Sequence, residues 1–268
     1  MKKPIWLLLA VTLTLSACGS PSGVQLPSDP NAPVLQIRSE GGFAPIEWTL
    51  GRGPRYTLLA DGRLIHEGPT IAIFPGPLLP NYLVSETNVG QMNSVLDLIQ
   101  RIGLPDVGHV VDDSQSSFVA DATTEVVTFW DDNGEHSFSV YALELEPDPS
   151  DPKIAAFADL LVVMDQLAFQ GDSTPFEANR VRITAGVEFV DPEFEDVREW
   201  PLDNPDFSDW SEYPNGWTCE VFGPEVLDLF LDATQSTTWL HPNPIMDAPS
   251  FKLLVRPLHP GESDCANS

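Results

Sequence analysis

Basic residues are scarce in this chain: 13 Lys and Arg stand against 40 Asp and Glu in 268 residues, a formal net charge of −27. Such a surface repels phosphate backbones and anionic lipid head groups, so no nucleic-acid role is assigned. The folded body is expected to stand off any bilayer near it. Histidine is also sparse. His66, His109, His136, His241 and His259 include no pair spaced to ligate a metal from one helix, and no HExxH occurs. A GxSxG elbow, a Walker loop and a dinucleotide fingerprint are missing too. The sequence therefore assigns no catalytic residue, no metal ligand and no cofactor. The N-terminal apolar run, Ile5–Leu15, is well short of the roughly 20 residues a membrane-spanning helix needs. Preceded by Lys2 and Lys3, it has the form of a signal peptide.

Cysteine is nearly absent, with three in all, and their settings differ. Cys18 follows Leu15-Ser16-Ala17 and precedes Gly19-Ser20-Pro21-Ser22-Gly23. This stretch resembles the lipobox of bacterial lipoproteins. The resemblance implies a signal peptide over 1–17 and a lipidated Cys18 at the mature N-terminus, on the outer face of the cell membrane. Two acyl chains give a stable anchor where one does not. Cys219 and Cys265 are then an even pair in an oxidising compartment and are expected to form a disulfide. Closing that loop stabilises the fold by roughly 4 kcal/mol in the chain-entropy model. A metal or redox pair would need a CxxC spacing or a nearby histidine, and neither is present.

Residues 18–33 read as the lipidated cysteine and a flexible Pro/Ser/Gly/Asn spacer, able to reach about 45 Å if extended. An extracytoplasmic domain is expected over 34–268, with a division into 34–172 and 173–268 left open. Val34–Arg38 reads as a strand and Ile46-Glu47-Trp48 as a second extended piece. Tyr56–Ala60 and Arg63–Glu67 meet across Asp61-Gly62, a hairpin signal that predicts a type I′ turn. Phe74–Pro80 is expected to be an irregular connector. Val89, Met92, Leu96, Ile99 and Ile102 recur at helical spacing, which predicts a helix over 86–102 stopped by Gly103 and Pro105. Glu125–Trp130 pairs with His136–Leu143, and Asp151-Pro152 supplies an N-cap and N1 pair for a helix to about Leu167. Further on come a strand at Arg180–Phe189, a short helix from Glu225 to about Thr234, and a last strand at Phe251–Leu258. The order predicts an α+β fold in which antiparallel hairpins form a sheet covered by about three helices.

Two stretches invite a functional reading. Asp191–Trp217 is acidic and proline-punctuated and carries Trp200, Trp210, Tyr213 and Trp217. Aromatics among acids can stack on a sugar or dock a protein, and a surface loop pinned to the core by its aromatics is the plainer account. Asp131-Asp132-Asn133-Gly134-Glu135 suggests a calcium loop but fails the EF-hand spacing, since Ala142 stands where the twelfth-position glutamate belongs. With 40 acids some carboxylate pair always lies at a glycosidase-like separation, so that signal carries nothing.

Gly41-Gly42-Phe43, the hairpin Tyr56–Arg63, Tyr141-Ala142-Leu143, Cys219, Thr238-Trp239, Val255-Arg256-Pro257-Leu258, Pro260-Gly261-Glu262 and Cys265 resemble a family of uncharacterised lipoproteins and secreted proteins of actinobacteria. The resemblance implies a cell-surface product of a Gram-positive bacterium and attaches no activity to it. Three readings follow, in order. The first is a non-enzymatic envelope protein that binds another protein, a wall polymer or a small ligand. The second is a hydrolase of wall or extracellular carbohydrate. The third is a calcium-dependent adhesion or structural module.

Overall fold

The computed structural model describes residues 24–104, 109–112, 121–145, 150–188, 196–203, 207, 210–212, 216–245 and 248–265. The expected leader, Cys18 and Tyr213 lie outside the described residues. Alternating apolar residues make β1 (Pro33–Gly41) and β2 (Tyr56–Leu59) antiparallel neighbours, and β2 turns back into β3 (Arg63–Glu67). Of the loop residues only Gly62 takes a positive φ, +93°, and its N–H donates to the Leu59 carbonyl. The hairpin therefore closes through a three-residue loop with glycine in the left-handed position, not the type I′ turn that Asp-Gly predicts. Ile46–Gly51 (α1) departs further from expectation. Pro45 offers its carbonyl to the N–H groups of Trp48 and Thr49, and the segment closes into a helical turn that buries Leu50.

The first sheet adds β4 (Tyr82–Glu86), β5 (His109–Asp112), β6 (Thr123–Asp131), β7 (Gly134–Tyr141) and β8 (Ser173–Pro175), in the order β5-β7-β6-β1-β2-β3-β4-β8. One face carries α2 (Val89–Ile102) and α3 (Pro152–Phe169), which pack on each other and on Leu35, Ile37, Leu58, Leu64, Val127 and Phe129. Both helices begin on side-chain caps. Asn88 and Gln91 form a reciprocal capping box, while the Asp151 carboxylate accepts from the N–H groups of Lys153 and Ile154. Gly103, at φ +97°, ends α2 by donating its N–H to the Ile99 and Gln100 carbonyls.

A second sheet is built from β9 (Val181–Val187), β10 (Asp196–Glu199), β11 (Ser211–Glu212), β12 (Thr218–Phe222), β13 (Thr237–Ile245) and β14 (Ala248–Pro257), in the order β10-β13-β14-β9-β12-β11. The molecule is thus α+β with two mostly antiparallel sheets, where the sequence reading has one. The physical reason lies in β13. Its Pro242 and Pro244 hide a strand from pattern reading, yet they follow the stretch that pairs with β10 and β14. One face of this sheet is closed by a 3-10 helix, Pro224–Phe230, through Val226 and Phe230. The other face takes α1, whose Leu50 packs with Trp217, Cys219 and Leu254.

Cys219 and Cys265 are bonded, with Cα atoms 5.8 Å apart, so the chain beyond β14 is tied to β12. That closing segment also binds the first sheet. The Gln36 amide donates to the Pro260 carbonyl at 2.9 Å, and Thr57 Oγ1 lies 2.9 Å from His259 Nδ1. The incoming chain is attached before Val34. Val24 and Leu26 pack on the first core, and the Asp132 N–H donates to the Gln25 carbonyl.

Candidate functional site

Alternation along β14 puts Lys252, Leu254 and Arg256 on the face opposite Phe251, Leu253 and Val255, which enter the second core. Their face meets α1 and the open end of the β2–β3 hairpin. Because α1 holds the two sheets apart beside the loop 68–81, a cleft of about 990 Å³ remains between them. That volume lies at the upper end of small-molecule sites. Lys252 and Leu254 of β14, Trp48 and Arg52 at α1, and Ile71 and Ile73 of the loop line it. Further apolar lining comes from Pro45, Pro69, Leu78 and Leu79.

The rim is open to solvent. Ile71 is 72 % exposed, Ile73 57 % and the adjoining Phe74 95 %. Pro77 bridges to Thr234, and the Leu78 N–H donates to the Ala233 carbonyl, so the far end of this loop is fastened to the second sheet. At its near end Gly68 donates to the Asn81 carbonyl at 2.7 Å.

Charge in the cleft differs from that of the whole molecule. Two cations, Arg52 and Lys252, line it with two acids, Glu47 and Glu67. Arg52 stacks its guanidinium 4.4 Å above the Trp48 ring and reaches Glu67 at 3.9 Å. Lys252 has no ion-pair partner among the described residues. At the inner end stands Tyr82, whose hydroxyl burial pushes up to about 12, so it remains protonated. Behind it Arg256 is almost fully buried and makes two 2.8 Å hydrogen bonds to the Glu262 carboxylate. Burial alone would raise Glu262, but that guanidinium outweighs it and holds the carboxyl below its ordinary value. Gly53 lies against this group, and a Cβ there would fall 2.5 Å from the Tyr82 hydroxyl and 2.7 Å from Arg256 Nη1.

A second cavity, of about 220 Å³, is lined by Arg63, Arg180, Asn179 and His259. Burial pushes His259 down to about 3, and its Nε2 has no hydrogen-bond partner among the described residues. Both arginines are already engaged, Arg63 with Asp61 and Asn31, Arg180 with Asp264 and the Glu262 carbonyl. The larger cleft is the stronger candidate, since its lysine is uncommitted.

The aromatics expected as a binding surface take other places. Trp210 and Trp217 are each 8 % exposed and neither ring offers a stacking platform. Trp217 lies so close to Gly186 that a Cβ there would come within 2.4 Å of its ring, while Trp200 meets Phe207, His241 and Phe251 edge-on or nearly so. These three indoles are packing residues of the second sheet. Asp131 is held by Asn133 and His136 as part of a hairpin turn. Among the described residues no group of three or more His, Cys, Asp or Glu is placed to hold a metal ion.

Sequence reasoning missed the cleft because its residues come from four separated segments. The signal available was composition: the Pro-rich stretch 69–80 carries Ile71, Ile73 and Phe74, more apolar surface than a plain connector needs. No protein family, curated protein or solved structure matches this chain.

Proposed function

We propose that this protein is a lipid-anchored, extracytoplasmic binding protein of the bacterial envelope, without catalytic activity, whose ligand occupies the cleft between the two sheets. The anchor is Cys18, read from Leu15-Ser16-Ala17-Cys18. The observation that carries the binding reading is the cleft itself: about 990 Å³, lined by aliphatic and proline side chains together with Trp48 and Arg52, with exposed apolar residues at Ile71 and Ile73 and a lysine, Lys252, that has no ion-pair partner among the described residues. A cleft of that size, whose apolar lining is interrupted by polar and charged side chains such as Glu47, Arg52, Asn81, Gln235 and Lys252, suits capture of a ligand. Trp200, Trp210 and Trp217, packed against the second sheet, offer no support for a carbohydrate hydrolase.

A photoreactive residue placed at Ile73 tests the site in cells, with the same residue at Val162 on α3 as the control, since Val162 is 55 % exposed and remote from the cleft. A reproducible adduct at position 73 and none at 162 is the expected result. Equal labelling at both, or none at 73, sinks the reading. Anchoring is tested apart from binding: Cys18→Ser should release a folded protein to the medium, and its retention in washed membranes overturns the lipidated address.

A further inference from the structure

Resting on the cleft as the binding site, we infer that its ligand is a single-chain amphiphile with an anionic head, of the fatty-acid type, the chain lying along the aliphatic walls and the head meeting Lys252. Three observations converge. First, the apolar part of the lining is mainly aliphatic and proline, with Ile71, Ile73, Leu78, Leu79, Leu254 and Val255. Trp48 already has one face under the Arg52 guanidinium, so the cleft lacks the paired open aromatic faces on which a sugar stacks.

Second, the charge is local and opposite in trend to the rest of the molecule. Acids outnumber bases 40 to 13 over the chain, yet in the cleft they stand two to two. The other cations that line a cavity or bridge elements, such as Arg55, Arg63, Arg180 and Arg198, face carboxylates of their own. Arg52 is held by Glu67 and Trp48. Lys252 is the cation left for a ligand, and an ammonium beside an apolar lining is a point charge suited to one acid group. An anion is drawn there against the −27 of the surface only if desolvation of its chain supplies the larger part of the affinity, which an alkyl chain does and a bare anion does not.

Third, the apolar surface of the cleft continues outward over Ile71, Ile73 and Phe74. Such a run of exposed apolar side chains is surface that an acyl chain would cover. The loop is fastened at its base, where Gly68 donates to Asn81, and at Gly76 and Leu78, which bond Gln235 and Ala233, and Ile71, Ile73 and Phe74 lie between these fastenings.

The test uses the full chain carrying Cys18→Ser, released without detergent, and isothermal calorimetry with octanoate, decanoate and dodecanoate, the matching alcohols, and cellotriose. The carboxylates should bind, tightening about fourfold per added methylene. Lys252→Gln should weaken the carboxylates about tenfold or more and leave the alcohols unchanged. Ile73→Ser, a rim change remote from the core, should weaken carboxylates and alcohols alike. Equal affinity for acids and alcohols, or indifference to Lys252→Gln, overturns the assignment of the head group. Binding of cellotriose without the amphiphiles overturns the ligand class while the cleft stays the binding site. No binding by any probe, together with no adduct at position 73 in cells, overturns both.

Discussion

Glu125 sits on the helix-facing side of β6, 1 % exposed, with Oε2 unpartnered among the described residues. Burial raises its carboxyl above the ordinary 4.5, and neighbouring Glu144 pushes the same way. A raised folded-state value means the native protein holds this proton at a pH where the unfolded chain has released it. Stability from this group is therefore complete below about 4.5 and declines as pH rises through the folded value. Glu125→Gln keeps the shape and removes the titration. It should raise Tm at pH 7, with the gain vanishing near pH 4, and a gain of equal size at both would contradict the account. His259 runs in the other direction. Its folded value, about 3, lies below the ordinary 6.5, so the unfolded chain gains a proton first on acidification. That contribution to stability is present above 6.5 and is lost progressively as pH falls toward 3. In an NMR titration the His259 ring signal should not move between pH 7 and pH 5, and a midpoint near 6.5 would refute its buried neutral state. Neither residue shows its role in sequence. Glu125 stands in a strand pattern where any polar residue reads as solvent-facing, and His259 lies in a stretch with no periodicity.

At the scale of elements, what local rules govern was legible and what distant packing decides was not. Gly103 ends α2 and Asp151-Pro152 begins α3 as the sequence predicts, because caps are written within a turn of the helix they close, whereas the sequence reading starts α2 at residue 86 and overlooks its Asn88 cap. Asn88→Ala removes the side-chain half of the capping box, the acceptor for the Gln91 N–H, keeps the backbone N–H that donates to Gln91 Oε1, and should cost about 1 kcal/mol. Chemical denaturation measures the loss, and hydrogen exchange should place it in the first turn of α2. An unchanged midpoint would mean that packing alone holds the helix end. α1 was misread as extended because its helicity depends on Leu50 finding Leu254 and Trp217, which lie on another sheet. β13 was missed behind its prolines. Trp200, Trp210 and Trp217 pack as the plainer account has it, though composition reveals only that a segment is aromatic, not which face of a sheet will take the rings. The cleft was invisible for the same cause, being a gap between elements rather than a property of any of them.

At the scale of the molecule, the two sheets are joined by α1, by the loop 68–81 through Gly76, Pro77 and Leu78, and by the segment 256–265. Arg182 Nη2 donates to the Leu50 carbonyl at 3.1 Å on one side. On the other, Arg256 and Glu262 form a buried pair whose segment bonds Gln36 and Thr57. Breaking such a pair by removing one partner leaves a buried charge and costs about 3–5 kcal/mol. Glu262→Ala should therefore lower the melting temperature and split one calorimetric transition into two, as the sheets lose their shared fastening. A single transition shifted downward would show the sheets to be coupled elsewhere. Reducing Cys219–Cys265 should cost up to roughly 4 kcal/mol.

The β2–β3 hairpin has two ends with different neighbours. At its turn the incoming chain is held, with the Ala60 N–H on the Ala32 carbonyl at 3.0 Å and the Asp61 N–H on that of Pro30 at 3.3 Å. At its open end, β3's length of roughly 16 Å away, Arg52 and Glu67 enter the cleft. Under the proposed anchor at Cys18, the packing of Val24 and Leu26 shortens the expected spacer of about 45 Å to about 19 Å at full stretch, so the turn end of the body would stand off the bilayer by no more than that. Its mouth then opens outward. Such a protein meets its ligand as it arrives from the medium, before the ligand has reached the membrane beneath.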